Sequence, residues 1–204
     1  MMRVGVLASG SGSNFQALVD SLRASGSPAR VELLFCNVPG AKVVERAQQA
    51  GVPSVLVASK GFSGDRTAYD ARVVEELERH RVELVCLAGY MRLVTPTLLR
   101  AFPGRVLNIH PALLPSFPGL HGVKQAIDAG VRVSGCTVHF VDEGMDTGPI
   151  IAQAAVPVLP TDDEAALAKR IMVEEHRLFP AVVRALAEGR VRLNERCVSV
   201  EGTL

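Results

Sequence analysis

Apolar and polar positions along this chain fall into two alternating kinds of block. Short apolar runs predict five strands: RVGVLA (3–8), VELLFC (31–36), PSVLVA (53–58), ELVCLAG (83–89) and RVLNI (105–109). Segments of helical period lie between them. From about Asn14, the residues Phe15, Leu18, Val19 and Leu22 recur at helical spacing. AKVVERAQQA (41–50) is a second helix, stopped by Gly51. A loop with Gly61, Gly64 and Asp65 leads to Thr67, the expected N-cap of the helix AYDARVVEELERH, and a short helix follows Pro96. Apolar strands alternating with helices predict a mostly parallel sheet with helices on both faces. Right-handed crossovers make this part doubly wound and Rossmann-like.

The pattern changes after residue 130. VSGCTVHFVD (133–142) and PIIAQAAVPV (149–158) predict a C-terminal strand pair of antiparallel character, joined by EGMDTG. A long helix is expected from about Asp162 to Glu188. Thr161 or Asp162 is its expected cap, Gly189 its stop, and Pro180 a kink or break inside it. With no linker, repeat or low-complexity segment, residues 1–204 are expected to form one α/β domain.

Composition narrows the classes of function. Hydrophobic residues are 48% of the chain, charged residues 21%, and the net charge is +1, a balance expected of a soluble globular protein. A nucleic-acid binder normally needs a basic excess, so none is expected as a partner. No apolar run approaches the roughly 20 residues that span a bilayer. The start, MMRVGVLASG, runs straight into a glycine-rich turn and reads as a first strand rather than a secretory signal. Cys36, Cys86, Cys136 and Cys197 are scattered without a C-x-x-C pair, which suits reduced thiols in a cytoplasmic protein.

Two segments carry candidate chemistry. The turn ASGSGSNFQ lies between the first strand and the first helix. It fits the dinucleotide fingerprint at Gly10 and Gly12 but has Phe15 at the third position, and the second strand ends at Asn37 rather than an acidic residue. A Walker A loop is excluded because no Gly-Lys-Ser/Thr is present. What survives is anion binding by backbone N–H groups at a helix start, aided by Ser11, Ser13 and Asn14, and this suits a small phosphate monoester. The competing reading is a plain tight turn capped by Ser13 or Asn14. The serines of this turn also fail as a nucleophile elbow, since no later Asp…His order completes an esterase triad.

The second segment is LNIHPALLPSFPGLH (107–121). Asn108 and His110 are two apart on a strand and therefore share a face, at the carboxyl end where ligands bind in such sheets. In that topology the turn after the first strand and GYMRLV after the fourth are expected at the same crevice. An amide donor with an imidazolium suits an oxyanion growing on a carbonyl under attack, and the imidazole can also move a proton. A carboxylate nearby favours the charged ring. Asp146 is the candidate, with Asp142 and Glu143 as rivals from the same turn. An external nucleophile is favoured over a covalent intermediate. His139, in mid-strand, is expected to be a satisfied core residue. His121 is expected to bond within its loop, and His80 and His176 to lie on helix surfaces. A zinc site from His110, His121 and a carboxylate lacks compact ligand spacing, so no metal is expected.

SGSGSNFQAL, LAGYMRLVTP, LNIHPALLPSFPGLHG, GCTVHFVDEGMDTGPI and EEHRLFP together resemble the phosphoribosylglycinamide formyltransferases, the folate-dependent enzymes of purine biosynthesis. The likeness covers nearly the whole chain. The second and third segments are shared with methionyl-tRNA formyltransferase and formyltetrahydrofolate hydrolase; the first and last distinguish the family. The resemblance implies formyl transfer from 10-formyltetrahydrofolate to the amine of phosphoribosylglycinamide. It implies Asn108, His110 and Asp146 in catalysis, Gly12, Ser13 and Asn14 on the substrate phosphate, and Glu175 on the ribose or glycinamide end. It also implies a folate pocket from Arg66, Met91, Arg92, Leu93, Val94, Asn108, Asp142, Glu143, Gly144, Met145 and Asp146, largely through backbone groups. The partners it implies are these two small molecules, for a monomer or homodimer. The tRNA-formylating relative ordinarily carries a further C-terminal domain and a basic surface, and the hydrolase an N-terminal regulatory domain. A chain running from a first strand at Arg3 to Leu204 at charge +1 is expected to have neither. The rival of another class is a non-catalytic phosphate-ligand module, in which Asn108 and His110 merely orient a ligand.

Overall fold

The computed structural model of the chain describes every residue except Ser63. That residue belongs to the 61–66 loop of the sequence reading, which at this position lies outside the described residues. In chain order the elements are β1 (Met2–Ala8), α1 (Ser13–Leu22), β2 (Ala29–Cys36), α2 (Lys42–Gln49), β3 (Ser54–Leu56), a 3-10 turn (Ser59–Phe62), α3 (Arg66–Arg79), β4 (Leu84–Leu87), α4 (Pro96–Ala101) and β5 (Val106–His110). There follow α5 (Gly122–Asp128), β6 (Val133–Phe140), β7 (Ile150–Pro157), α6 (Glu164–Ala187), β8 (Val191–Asn194) and β9 (Cys197–Val200). Among the described residues the strands form a seven-stranded sheet of order β3-β2-β1-β4-β5-β6-β7 and a separate β8-β9 hairpin. The mostly parallel, doubly wound sheet expected from the sequence is therefore present, with its C-terminal strand pair and long helix.

The chain divides into two compact units, Met1–Leu107 and Asn108–Leu204. In the first, β1 pairs in parallel with β2 and with β4, and β2 pairs with β3. Val4, Val6, Leu7 and Ala8 of β1 are fully buried, which is why that strand reads as a continuous apolar run. Helix α1 buries Phe15, Leu18, Val19 and Leu22 along one stripe. Each such side chain contributes about 1.5–3 kcal/mol when fully removed from water. Strand order reverses on either side of β1, so the loops after β1 and β4 diverge at a topological switch point, where sheets of this kind bind ligands.

In the second unit, β6 and β7 pair antiparallel, Val133 facing Pro157 and Thr137 facing Gln153. Helix α6 buries Leu167, Ile171, Glu175, Leu178, Phe179, Val182, Val183 and Leu186. Glu175 is thus a carboxylate on an otherwise apolar stripe.

Three local expectations are corrected. Helix α3 is capped by Asp65, whose carboxylate accepts from Ala68 N at 2.9 Å, so Thr67 already lies inside the helix. Helix α6 is capped by Asp163, which accepts from Ala166 N at 2.7 Å; Asp162 instead binds Arg170 and Leu159 N. In both cases the carboxylate that reaches a free N–H three residues on defines the cap. Of the kink or break expected at Pro180, the break does not occur: helix α6 continues through this residue, which is buried like its neighbours Phe179, Val182 and Val183. The proline removes one helical donor, and burial of the flanking stripe outweighs that loss. The pattern missed α5 and the β8-β9 hairpin altogether; both are short and the hairpin is largely exposed.

Gly135 on β6 tests how tightly β6 and β7 are matched. A Cβ there would stand 2.0 Å from the carbonyl oxygen of Ala154, a backbone atom that cannot swing aside. Gly135→Ala is expected to destabilise the fold by about 3 kcal/mol, read as a lowered urea midpoint; a midpoint equal to wild type would show that the two strands have slack.

Candidate active site

In the first unit, Gly12 is the N-cap of α1, with left-handed φ 75°, and makes no side-chain cap bond. Ser13 and Asn14 are therefore in the first helical turn and are not the cap. A side chain at Gly12 is forbidden twice over: by its backbone and by Val43, whose Cγ2 would lie 2.5 Å from a Cβ. The carbonyls of the turn are committed elsewhere. Gly10 O accepts from Val43 N at 3.1 Å, Ser11 O from Arg46 Nε at 2.9 Å, and Gly12 O from Gln16 N at 3.0 Å. The opening N–H groups of an α-helix have no intrahelical acceptor, and α1 has no acidic residue in its first turn, so the turn favours an anion.

A buried polar chain ties this turn to the segment after β4. Ser9 Oγ donates to Asn37 Oδ1 at 2.6 Å and accepts from Met91 N at 2.9 Å, while Ser9 N donates to Gly89 O at 3.1 Å. Asn37, which disqualified a dinucleotide ribose site, is thus a structural partner of the turn. Met91 and Leu93 leave their side chains exposed. The Arg92 guanidinium lies 4.2 Å from the centre of the Tyr69 ring. Beside it Asp70 accepts from Thr95 N at 2.5 Å and Thr95 Oγ1 at 2.8 Å. Burial pushes the Asp70 carboxyl up, and this outweighs the bonds from Thr95 and the charges of Arg92 and Arg66. The structure therefore brings Arg66 and Arg92 into the field of one carboxyl group.

In the second unit, Asn108 and His110 lie on β5, and Asp146 lies in the turn after β6 with left-handed φ 54°. The three are together. Asn108 Nδ2 donates to Asp146 Oδ1 at 3.3 Å, and His110 Nδ1 stands 3.4 Å from Asp146 Oδ2. The backbone N–H of Gly119 donates to Asp146 Oδ2 at 2.7 Å. The other His110 nitrogen, Nε2, meets Phe117 O at 2.8 Å. Both ring nitrogens thus stand near oxygen acceptors. Gly122 leaves room for this ring: a Cβ there would lie 3.2 Å from His110 Nε2.

His139, expected as a satisfied core residue, is one and also stands at the cluster. It is buried and bonds Phe140 O through Nδ1 at 2.8 Å, as a satisfied core histidine should. Its Nε2 also lies 3.2 Å from Asn108 Nδ2 and 3.6 Å from Asp146 Oδ1, the latter long for a hydrogen bond. The available signal was an imidazole in a buried strand that runs into an acidic turn. The two rivals of Asp146 part from it. Asp142 closes its own turn, accepting from Gly144 N at 3.1 Å and Thr147 Oγ1 at 2.6 Å; Glu143 and Met145 are exposed in the same turn. His121 holds the N-cap position of α5 without a side-chain cap bond, and His80 bonds Glu76 O at 2.9 Å. Glu175 is buried on α6. Among the described residues no group of three or more His, Cys, Asp and Glu is placed to hold a metal.

Burial alone would push the Asp146 carboxyl up. The approach of His139, the Gly119 N–H and the charge of His110 outweigh it, and the group titrates below the ordinary carboxylate value. Its contribution to stability is therefore full above the unfolded value, about 3.9, and is lost as pH falls through the lowered folded value. Asp146→Asn is expected to flatten the fall of the urea midpoint across that acidic window, and parallel curves for the two proteins would contradict the assignment.

The formyl transferase family model matches residues 2–183. Phosphoribosylglycinamide formyltransferase of Bacillus subtilis is 47% identical over 186 residues, covering 91% of this chain and 95% of that protein. The Escherichia coli protein of the same name is 38% identical over 201 residues, covering 98% and 94%. The trifunctional purine biosynthetic protein adenosine-3 of Drosophila melanogaster is 52% identical over 189 residues, covering 92% of this chain; the match spans 14% of that longer protein. Glycinamide ribonucleotide transformylase 1 from Symbiobacterium toebii has a crystal structure that superposes with a TM-score of 0.95 at 50% identity, covering 98% of this chain and 94% of that one. With the family model spanning β1 to the last turns of α6, and relatives matched almost end to end, the chain belongs to the formyl transferase family.

Proposed function

We propose that this protein transfers the formyl group of 10-formyltetrahydrofolate to the amine of phosphoribosylglycinamide, a step of de novo purine biosynthesis, with residues 1–204 acting as one formyltransferase domain. The observation that carries the reading is the meeting of Asn108, His110 and Asp146 around one carboxylate. The names of the full-length bacterial relatives supply the substrate class.

The chemistry follows from the charges. The substrate amine attacks the formyl carbon; with a pKa of about 7.7–8.0 for an α-amino group, a useful neutral fraction exists near neutral pH. The carbonyl oxygen gains negative charge and is met by the Asn108 amide and the His110 imidazolium, which exchange an acceptor held in the free protein, Asp146 Oδ1 and Phe117 O respectively, for this oxygen. Asp146 keeps His110 charged and helps move a proton toward the departing folate nitrogen. No covalent enzyme intermediate enters.

The substrate phosphate is assigned to the N–H groups of Gly12, Ser13 and Asn14, and its ribose or glycinamide end to Glu175. The folate is assigned to Arg66, to Met91, Arg92, Leu93 and Val94, and to Asn108 and the Asp142–Glu143–Gly144–Met145–Asp146 turn. The exposed Met91 and Leu93 side chains of this segment suit the face of a flat heterocycle. Among the described residues no helix is long and apolar enough to cross a membrane; a cytoplasmic monomer or homodimer acting on small molecules fits this assignment.

Mixing the protein with both substrates and following the folate absorbance tests the assignment. Folate product is expected only when the amine acceptor is present; release of formate without it would point to a hydrolase instead. Asp146→Asn is expected to lower kcat about a hundredfold or more with much smaller change in folate binding, and near-normal turnover would remove Asp146 from catalysis. Gly12→Ala is expected to raise KM for the phosphate-bearing substrate at least about tenfold, with KM for the folate little changed. An unaltered phosphate-substrate KM would move the anion site away from this turn.

A further inference from the structure

The peptide group that joins Pro118 to Gly119 is held at both ends. Its N–H donates to Asp146 Oδ2 at 2.7 Å. Its carbonyl accepts from Nε2 of Gln125 at 3.1 Å, and the same nitrogen donates to Leu120 O at 2.9 Å. Gln125 thus commits both amide hydrogens to this loop, one on each side of Gly119. It stands on α5, where its own N–H bonds His121 O at 2.9 Å.

We propose that Gln125 is a positioning residue for Asp146, acting through the Pro118–Gly119 peptide that both of them bind. The inference rests on the formyl-transfer reading only for its kinetic readout.

The physical reason lies in Gly119. The peptide is planar, so its C=O and N–H turn together. A glycine on its C-terminal side lets that plane flip at little cost, because glycine populates both signs of φ. Gly119 sits at φ 78°, and Phe117 and His121 flank it at 56° and 62°. A flip would carry the N–H away from Asp146 and present a carbonyl oxygen to a carboxylate. Gln125 opposes the flip by holding the carbonyl at the far end, and it polarises the same peptide so that its N–H is a stronger donor. The groups facing Asp146 are His110 and Asn108 from β5, His139 from β6 and the loop N–H. Helix α5 reaches it only by way of this tether.

The test uses the full-length protein with Gln125→Ala and Gln125→Glu. Gln125 is half-buried on a helix surface, so both variants should fold. Gln125→Ala is expected to lower kcat about tenfold while both KM values stay within about twofold. The acidic limb of the kcat/KM profile should move to higher pH, since a weakened N–H donor lets the Asp146 carboxyl rise. Gln125→Glu, a carboxylate facing two carbonyls, should act in the same direction and more strongly. In the free protein, the Asp146 carboxyl carbon followed by NMR should titrate at higher pH in the variant than in wild type. An unchanged titration overturns the proposal, including when the variant merely melts at a lower temperature. Wild type inactive on the two substrates would defeat the formyl-transfer reading, while the carboxyl titration would still decide the role of Gln125.

Discussion

One carboxylate organises the second unit. Asp146 binds the loop through Gly119, β5 through Asn108 and His110, and stands before His139 of β6. A half-buried anion of this kind is unfavourable unless it is surrounded by donors and positive charge. The surrounding groups meet that need, and in doing so each acquires a fixed direction. The electrostatic requirement of a single anion is therefore also what orients the amide and the imidazole.

Two carboxyls show how burial and surroundings compete: Asp70 is buried and Asp146 half-buried. Asp70 has two bonds from Thr95 and two nearby arginines, yet desolvation prevails and its carboxyl is raised. Asp146 has a backbone N–H and two imidazoles close by, and its carboxyl is lowered. A lowered carboxyl stays ionised to lower pH than an ordinary one. Asp70 instead fixes the start of α4 through Thr95, a structural task that does not demand charge.

Close backbone approach is the second recurring device. Gly12 admits Val43 against the turn after β1, Gly122 admits the His110 ring, and Gly135 admits the carbonyl of Ala154. Each is a place where a Cβ would displace a packed neighbour. The Ser9 hydroxyl does comparable work with hydrogen bonds, fastening the turn after β1 to the segment after β4 at the switch point of the sheet.

The sequence by itself determined the sheet, because apolar runs and helical stripes are local patterns that the burial of β1, α1 and α6 reproduces. It also determined that Asn108 and His110 share a face, since strand periodicity is a property of the backbone alone. The boundary corrections at Asp65, Asp163 and Pro180 arose where two neighbouring residues compete for one cap, or where packing outweighs a local preference. Which of Asp142, Glu143 and Asp146 meets the imidazole was decided only by the tertiary structure. So was the entry of His139 into the cluster, and so was the tie from Gln125 through a peptide group to a carboxylate. Those contacts join residues far apart along the chain, and local periodicity carries no information about which distant side chain will arrive.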